Sequence, residues 1–325
     1  MTVTASACAN IALVKYWGKR DSSTLNIPQA GSLSVTLDAL KTTTQIELSP
    51  ESNEDILYLD DVQADGKALA RVTAHLDLFR SDQDHRAIVR SKNSFPTAAG
   101  LASSASGFAA LTVAASAAYG HDLSSRDLSI LARRGSGSAA RSIFGAYALM
   151  NAGVQENGLD AYAIPLPEID FPLSAVIAVA ETGPKDIGST EGMKRTLETS
   201  PYHNPWIDLV GRDLITARSA LEKGDFSTLA ECVEGNCLAM HANAMASRPG
   251  IIYFSGTTLQ AISTVRNLRS NHGIDVFFTI DAGPHVVAFT RPSSVEKVAD
   301  ALGAITGVTN VIRSEMGDAA QLDPA

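Results

Sequence analysis

The stretch SFPTAAGLASSASGFAALTVAA, residues 94–115, is unusually poor in bulky side chains. From Pro96 to Ala110, eleven of fifteen residues are Gly, Ala or Ser. A buried helix is normally stabilised by large apolar side chains, because burying each Leu or Ile contributes about 1.5–3 kcal/mol. The small residues therefore indicate that something approaches this backbone closely, either a ligand or a neighbouring sheet.

The segment PTAAGLASSAS, residues 96–106, places Pro, Gly and two serines at the entry to a predicted helix. The first turn of a helix presents unpaired N–H groups and a partial positive charge, and small residues let a polyphosphate approach them. No Lys follows Gly107, so this is not the common G-x-x-x-x-G-K-[ST] loop. The segment is not a Rossmann fingerprint either. Phosphate binding and close packing of the helix on a sheet both remain open on composition alone.

A second candidate anion site is RRGSGSAARS, residues 133–142. Ser136 and Ser138 lie in a Gly/Ser break, and Arg141 follows within one turn of the next predicted helix. Hydroxyls, helix N–H groups and a guanidinium group together suit a phosphate. The alternative is a capped helix start with a solvated arginine.

Two further segments carry groups suited to acid–base chemistry. In NIALVKYWGKRD, residues 10–21, Lys15 and Lys19 flank two aromatic residues and could pair with a substrate carboxylate, although surface lysines are common. In FTIDAGPHVV, residues 278–287, Asp281 ends an apolar strand, where a rigidly held carboxylate can act as a base. A turn aspartate that binds its own backbone is the alternative.

Composition and charge exclude several classes of protein. A net charge of −9 and a pI near 5.2 argue against binding nucleic acid, which requires a basic face. The three cysteines are too few and too scattered for a disulfide framework or a metal site, which favours reduced thiols in the cytoplasm. We find no secretion signal and no apolar run near the ~20 residues that span a bilayer, so we expect no membrane association.

The length of 325 residues predicts about two domains. Alternating β-branched residues predict strands through the first 50 residues, and spacings of three and four predict a helix over 69–79. Strands are also predicted at 86–95, 173–180 and 275–290, and long helices across 203–245. We place the domain boundary after residue 185, giving lobes 1–185 and 186–325 of the α+β class.

The motifs occur together in a familiar order. NIALVKYWGKRD, GSLSVTL, PTAAGLASSAS, GSGSAARS, GSTEGM, ETSPY, AMHANAM and DAGP, spread over residues 6 to 290, resemble the mevalonate diphosphate decarboxylases of the GHMP kinase superfamily. The resemblance implies a two-domain GHMP kinase-like fold. Its N-terminal lobe is expected to be ribosomal protein S5 domain 2-like and its C-terminal lobe ferredoxin-like, with the active site between them.

The resemblance also implies an activity, the ATP-dependent decarboxylation of mevalonate 5-diphosphate to isopentenyl diphosphate. ATP phosphorylates the 3-hydroxyl, and phosphate and CO₂ are then lost. ATP and Mg²⁺ are the implied cofactors, although no sequence feature identifies the Mg²⁺ ligands, and the family's frequent homodimers leave a homodimer open. The chain departs from the family pattern near the expected substrate end, at Thr190, at His285, in SIFGAYALM (residues 142–150) and in PQAGSLS (residues 28–34). These departures keep two alternatives: a decarboxylase of mevalonate 5-phosphate, and a 3-kinase that does not decarboxylate.

The resemblance further assigns roles to residues. Asp281 is expected beside the 3-hydroxyl as the catalytic acid–base group, and Lys19 is expected to hold the substrate carboxylate and keep Asp281 ionised. The implied substrate-binding residues are Tyr16, Trp17, Lys19, Ser136, Ser138 and Arg141. The implied ATP-binding residues are Asn93, Ser94, Pro96, Gly100, Leu101, Ala102, Ser103 and Ser104.

Overall fold

The computed structural model describes residues 2–20, 25–81, 85–95, 103–180 and 187–324. The strands are β1 (Thr2–Val14), β2 (Ser32–Ser49), β3 (Ile56–Leu59), β4 (Val62–Ala64), β5 (Arg86–Asn93), β6 (Tyr147–Met150), β7 (Ala163–Pro165), β8 (Ser174–Ala180), β9 (Val276–Thr279), β10 (Val286–Thr290), β11 (Val308–Ser314) and β12 (Gln321–Leu322). The helices are α1 (Gly66–Leu76), α2 (Ser103–Ala118), α3 (Ser125–Gly135), α4 (Ala139–Ser142), α5 (Ser189–Thr199), α6 (His203–Lys223), α7 (Phe226–Met245), α8 (Gly256–His272) and α9 (Val295–Gly303). The predicted α+β class is confirmed.

The first sheet is built on two long strands. Its order is β12-β1-β2-β5-β3-β4, and β6 pairs with both β2 and β7. The segments SLSVTL and TTTQIEL belong to one long strand, β2. Its pairing with β1 is interrupted between the pairs Cys8–Lys41 and Asn10–Thr36, where the register shifts, and then resumes. An irregularity of this kind bends a strand without ending it.

The helix α2 is buried on nearly every side against this sheet. Ala105, Ala109 and Ala110 have no exposed surface, and eleven of its residues are buried. Alanines let the helix lie close to β1 and β2, where Leu or Ile would force it away. Close packing therefore explains the small residues of α2 itself, and the phosphate interpretation concerns only the segment at its entry.

The second sheet has the order β11-β8-β10-β9 and is antiparallel throughout. On one of its faces lie α8 and α9, whose Val265 and Leu302 are fully buried with Phe278 of β9. On the other face lies α7, whose Phe226 packs against Phe277 at 5.3 Å between ring centroids. The sheet thus has helices on both sides, and α7 lies between it and the first lobe.

The two long helices predicted across residues 203–245 are separated by a two-residue junction. Gly224 adopts a φ of +69°, which ends α6 in the left-handed conformation that glycine favours. The next residue, Asp225, accepts a hydrogen bond from the Thr228 N–H and caps the start of α7. This junction turns the chain back, so that α6 and α7 pack side by side.

Strand pairing bears on the division into lobes. The strand β8, which ends at Ala180, belongs to the second sheet rather than to the predicted first lobe of 1–185. At the other end of the chain β12 returns to pair with β1, so the last residues rejoin the first sheet. Residues 181–186 lie outside the described part, and the boundary after residue 185 stays a prediction.

Among the helices that the structure describes, none has the length and hydropathy needed to cross a membrane. The three cysteines, Cys8, Cys232 and Cys237, are all free thiols.

Candidate functional site

A cleft of about 880 Å³ lies between the two lobes. Strand β1 and the loop after it form one part of its wall, the starts of α2 and α4 form another, and α5, α7 and the end of β9 close it from the second lobe. Nine of the predicted site residues line it: Tyr16, Trp17, Lys19, Ser103, Ser104, Ser136, Ser138, Arg141 and Asp281. Residues that the sequence motifs single out therefore lie together in one cleft.

The central contact of the cleft is an ion pair between the lobes. The Nζ of Lys15, just after β1, lies 2.6 Å from Oδ1 of Asp281, which follows β9. The Lys15 side chain is 1 % exposed, whereas that of Asp281 is 33 % exposed and reaches the cleft. At this distance the two groups form a charge-assisted hydrogen bond.

This geometry corrects the role expected for Lys19. The ammonium group paired with Asp281 is that of Lys15, while the Lys19 Nζ donates to Oδ1 of Asn26 at 2.7 Å. Lys19 also lines the cleft. Lys15 directly follows the apolar run IALV, but no feature of the sequence assigns its ammonium group, rather than that of Lys19, to Asp281.

Arg141 is buried beside this ion pair. Its Nε donates to Oδ1 of Asn10 at 3.1 Å, and its Nη1 donates to the hydroxyl of Ser32. Asn10 in turn donates to the Ser138 carbonyl at 2.9 Å and to the Ser142 hydroxyl at 2.8 Å. Asn10, an amide within an apolar strand, is a site residue that the sequence analysis missed.

The charge of Arg141 lacks a paired carboxylate among the described residues, since none of the ion pairs found there includes it. The side chain is 2 % exposed, and this burial lowers the pKa of the guanidinium to about 10. A buried, hydrogen-bonded cation that lines a cleft is well suited to an anionic ligand. The alternative of a solvated arginine is therefore wrong.

Three serine hydroxyls form a row along the same wall. The Oγ atoms of Ser104 and Ser136 lie 3.3 Å apart, and those of Ser136 and Ser138 lie 3.4 Å apart. The following helix, α4, is only four residues long, so the hydroxyls rather than a long helix dipole supply the polarity here. A Cβ atom at Gly137 would lie 2.3 Å from the Tyr16 hydroxyl, which explains the glycine.

One face of α1 extends the positive surface. Lys67 and Arg71 line the cleft at helical spacing, and Arg134 lies nearby at the end of α3. Burial lowers the pKa of both arginines, which still remain cationic at neutral pH. His75 is one turn beyond Arg71 and is buried, which lowers its pKa to about 3 and keeps it neutral. The sequence analysis used only the apolar face of this helix and missed the basic one.

Some predicted residues lie elsewhere. Asn93 and Ser94 line a separate cavity of about 530 Å³ on the first sheet, together with Lys41 and Arg90. Asn93 accepts a hydrogen bond from the Thr42 hydroxyl at 2.7 Å. Pro96, Gly100, Leu101 and Ala102 lie outside the described residues, so their assignment to ATP stays a prediction.

Two of the departures from the family pattern, Thr190 and His285, lie in different places. Thr190 lines the cleft near the start of α5. His285 is buried in the second lobe instead, where its Nδ1 accepts a hydrogen bond from the Ala180 N–H at 3.1 Å. Of these two, Thr190 is the one placed to affect a ligand in the cleft.

The polar groups of the cleft fit a magnesium ion carried on phosphates. The described residues contain no group of three or more His, Cys, Asp and Glu side chains that could hold a metal. Mg²⁺ keeps several waters and is usually bound by substrate phosphates with few protein oxygens. The hydroxyls of Ser103 and Ser104 are oxygen donors of this kind, because both line the cleft beside the cationic groups.

Comparison with known proteins agrees with this geometry. Residues 7–163 match the diphosphomevalonate decarboxylase-like N-terminal domain family, and residues 175–323 match the mevalonate 5-diphosphate decarboxylase C-terminal domain family. The chain is 35 % identical to the diphosphomevalonate decarboxylase of Saccharomyces cerevisiae, over 91 % of this chain and 80 % of the yeast protein. It is 36 % identical to the human diphosphomevalonate decarboxylase, over 92 % of this chain and 79 % of the human one.

Solved structures show the same fold. The mevalonate diphosphate decarboxylase of Staphylococcus aureus superposes with a TM-score of 0.94 at 35 % identity, covering 99 % of this chain and 98 % of that one. A structure described as MDDEF in complex with MVAPP, AMPPCP and magnesium superposes with a TM-score of 0.91 at 38 % identity, covering 100 % and 99 %. The predicted two-lobe GHMP kinase-like fold is thereby confirmed, and the chain belongs to the diphosphomevalonate decarboxylase family.

Proposed function

We propose that this protein catalyses the ATP-dependent decarboxylation of mevalonate 5-diphosphate to isopentenyl diphosphate. The observation that carries the proposal is the ion pair of Lys15 and Asp281, which joins the lobes inside a cleft that also holds the buried Arg141. The site combines an oriented carboxylate with several cationic groups. An ATP-dependent decarboxylase needs both, a base for the alcohol and cations for the phosphates.

The first step is transfer of the terminal phosphoryl group of ATP to the 3-hydroxyl. Asp281 accepts or orients the hydroxyl proton, because Lys15 holds one carboxylate oxygen while the partly exposed carboxylate faces the cleft. Lys67, Arg71 and Arg134 are placed to neutralise charge on the ATP phosphates. Mg²⁺ bound to those phosphates would supply further charge neutralisation.

Substrate binding is assigned to the opposite part of the wall. Arg141, with Ser136 and Ser138, would hold the diphosphate by charge-assisted hydrogen bonds. Lys19 and Tyr16 would lie at the carboxylate end. These contacts fix the 3-hydroxyl beside Asp281 and so convert an encounter between two reactants into a reaction within one complex.

The second step is loss of phosphate and CO₂. Departure of the phosphate leaves positive charge at C3, and the fixed carboxylate of Asp281 stabilises that charge in a site with little water. The electrons of the carboxylate C–C bond then form the alkene, and CO₂ leaves. Trp17 and Met193, both less than 6 % exposed, line this part of the cleft and limit the access of water.

The test is an ADP-release assay with mevalonate, mevalonate 5-phosphate and mevalonate 5-diphosphate in parallel, with CO₂ trapped from each reaction. We expect equal amounts of ADP and CO₂ from the diphosphate alone. The same result with the monophosphate would assign the smaller substrate, and ADP without CO₂ would identify a 3-kinase. No product from any of the three would contradict the proposal.

We propose in addition that the enzyme is cytoplasmic and a homodimer. The small number of scattered cysteines and the acidic net charge support the first, since this composition is typical of intracellular enzymes. Membership of the family supports the second. Light scattering on the purified protein, with an expected mass of twice 34.1 kDa, tests the dimer.

A further inference from the structure

The helix α7 contacts the polypeptide on both sides of the Lys15–Asp281 ion pair. On one side the Oδ1 atom of Asn236 accepts the Lys15 backbone N–H at 2.8 Å. On the other side, Cys237 and His241 hold the backbone of Ile280, the residue before Asp281. One turn and a half of a single helix therefore touches the chain beside each partner of the ion pair.

The orientation of Asn236 is fixed by its second hydrogen bond. Its Nδ2 donates to Oδ2 of Asp213 on α6 at 2.7 Å. A carboxylate only accepts, so the amide must turn its nitrogen towards Asp213 and its oxygen towards Lys15. The side chain has no exposed surface, and the wrong orientation would leave buried polar groups unpaired.

This bond lies at the point where strand pairing ends. Lys15 directly follows Val14, the last residue of β1 and the last to pair with β2. The backbone N–H of Lys15 bonds to Asn236 of the second lobe instead of to β2. Because Asn236 holds the backbone of Lys15, the Lys15 side chain needs only to be extended for its ammonium group to reach Asp281. Asn236 thereby sets where the Lys15 side chain starts.

The contacts to Ile280 fix the position of Asp281, the other partner of the ion pair. The Ile280 N–H donates to the Cys237 sulfur at 3.1 Å, and His241 Nε2 donates to the Ile280 carbonyl at 3.3 Å. Burial and the nearby Lys15 charge lower the pKa of His241 to about 4, so the ring is neutral at physiological pH. A neutral ring that donates from Nε2 is therefore a stable anchor over the working pH range.

We propose that Asn236, Cys237 and His241 are positioning residues that hold Lys15 and Asp281 at their working separation. Lys15 belongs to the first lobe and α7 to the second, so this helix couples the arrangement of the lobes to the geometry of the ion pair. The expected effect on turnover rests on the proposed function. The effect on the geometry of the ion pair does not.

The kinetic test uses Asn236→Leu, which keeps the volume and removes both hydrogen bonds, and Asn236→Gln, which keeps the amide but displaces it by one methylene. We expect kcat to fall about 10- to 100-fold with little change in KM for ATP, the size expected of a small misplacement of reacting groups. The matched control is Thr290→Val. Thr290 is equally buried and donates to the Asp275 carbonyl at the far end of β10.

A second pair of variants tests the Ile280 anchor. His241→Gln keeps an N–H donor for the Ile280 carbonyl, and His241→Leu removes it. We expect the Gln variant to keep most of the turnover and the Leu variant to lose it at similar thermal stability. Equal losses in both, or a loss in Thr290→Val as large as that in Asn236→Leu, would show a merely structural role and overturn the proposal.

The geometry of the Lys15–Asp281 ion pair can be tested without any substrate. Lys15 is buried and paired, so reductive methylation followed by peptide mass mapping should modify it slowly in the wild-type protein. We expect faster labelling of Lys15 in Asn236→Leu and Asn236→Gln, with unchanged labelling of the exposed Lys92 and no change in Thr290→Val. Unchanged Lys15 labelling in both Asn236 variants would refute the proposal. If the wild-type protein is inactive but Lys15 is labelled faster in the Asn236 variants, only the proposed function is refuted.

Discussion

The Nζ of Lys15 and the Oδ1 of Asp281 lie 2.6 Å apart although 266 residues separate them in the chain. The two residues follow strands of different sheets, so the pair exists only when both lobes are in place. This contact is the basis for most of the behaviour that we expect of the enzyme.

Replacing Asp281 tests the acid–base assignment directly. Asp281→Asn keeps the shape of the side chain but removes the negative charge and the ability to accept the hydroxyl proton. We expect turnover to fall about 10²- to 10⁴-fold, the usual contribution of a general base, with binding of ATP nearly unchanged. Steady-state kinetics and nucleotide titration measure the two quantities, and near-normal turnover would exclude Asp281 as the base.

Comparing the two lysines distinguishes their roles. Lys15→Met removes the ammonium group that pairs with Asp281, so we expect a loss of kcat approaching that of Asp281→Asn. Lys19→Met leaves that pair intact, and we expect it mainly to raise KM for the phosphorylated mevalonate. Measuring kcat and KM for both variants decides the matter. A larger kcat loss for Lys19→Met would restore the role first expected from the sequence.

Arg141→Ala should weaken binding of the substrate. A charge-assisted contact of a buried group contributes about 1.5–3 kcal/mol, so we expect KM to rise about 10- to 150-fold. Because this variant also removes packing, Arg141→Lys serves as its control. Lysine keeps the charge but loses the fork that Asn10 and Ser32 hold, and we expect an intermediate KM. An effect on kcat alone would remove Arg141 from substrate binding.

The hydroxyl of Ser104 should matter for the nucleotide. Ser104→Ala removes one hydroxyl of the row that Ser136 continues, and we expect KM for ATP to rise while KM for the substrate stays the same. Ser103→Ala removes the other hydroxyl at this entry, and we expect it to raise KM for ATP as well. Nucleotide kinetics identical to wild type in both variants would contradict phosphate binding at the entry to α2.

The ion pair of Asp55 and Arg80 predicts how stability depends on pH. Two bonds of 2.8 and 3.0 Å join the groups, and the Ala87 N–H also donates to Asp55. Burial acts to raise the pKa of Asp55, but these hydrogen bonds outweigh it and the pKa is lowered. The stabilisation is therefore complete above the ordinary value of 3.8 and is lost as the pH falls through the lower folded-state pKa.

The corresponding variant is Asp55→Asn. We expect it to reduce the free energy of unfolding by about 2 kcal/mol at pH 7, since it removes the charge from a buried hydrogen-bonded pair. The difference from wild type should shrink below pH 3.8, because the unfolded wild-type chain then binds a proton at Asp55 before the folded protein does. Thermal melts from pH 7 to pH 3 measure this. A difference that stays constant across that range would exclude the ion pair as its cause.

Much of the site could be predicted because its motifs act locally. Three sequence features each determine the local conformation of the chain. They are the Gly/Ser break at residues 135–138, the apolar strand before Asp281 and the small residues at the entry to α2. Each also places a polar group at an element's end, where ligands bind. Those groups meet in one cleft because the ends of β1, β9 and α3 face each other across the lobes.

The choice between lysines could not be made in this way. Lys15 and Lys19 are four residues apart in the same segment, and both flank the aromatic pair, so composition and spacing treat them alike. The backbone of Lys15 is held by Asn236, whereas Lys19 lies beyond the end of the strand and pairs with Asn26. The distinction depends on a helix more than 200 residues away.

The sequence by itself determined the α+β class, the family and nine of the residues that line the cleft, because hydrophobic periodicity and turn chemistry are local properties. The tertiary structure alone decided which ammonium group meets Asp281, that Arg141 is a buried cation without a paired carboxylate in the described part of the chain, and that α1 carries a basic face into the site. These depend on burial and on distances between segments far apart in the chain. Packing of the two lobes fixes both.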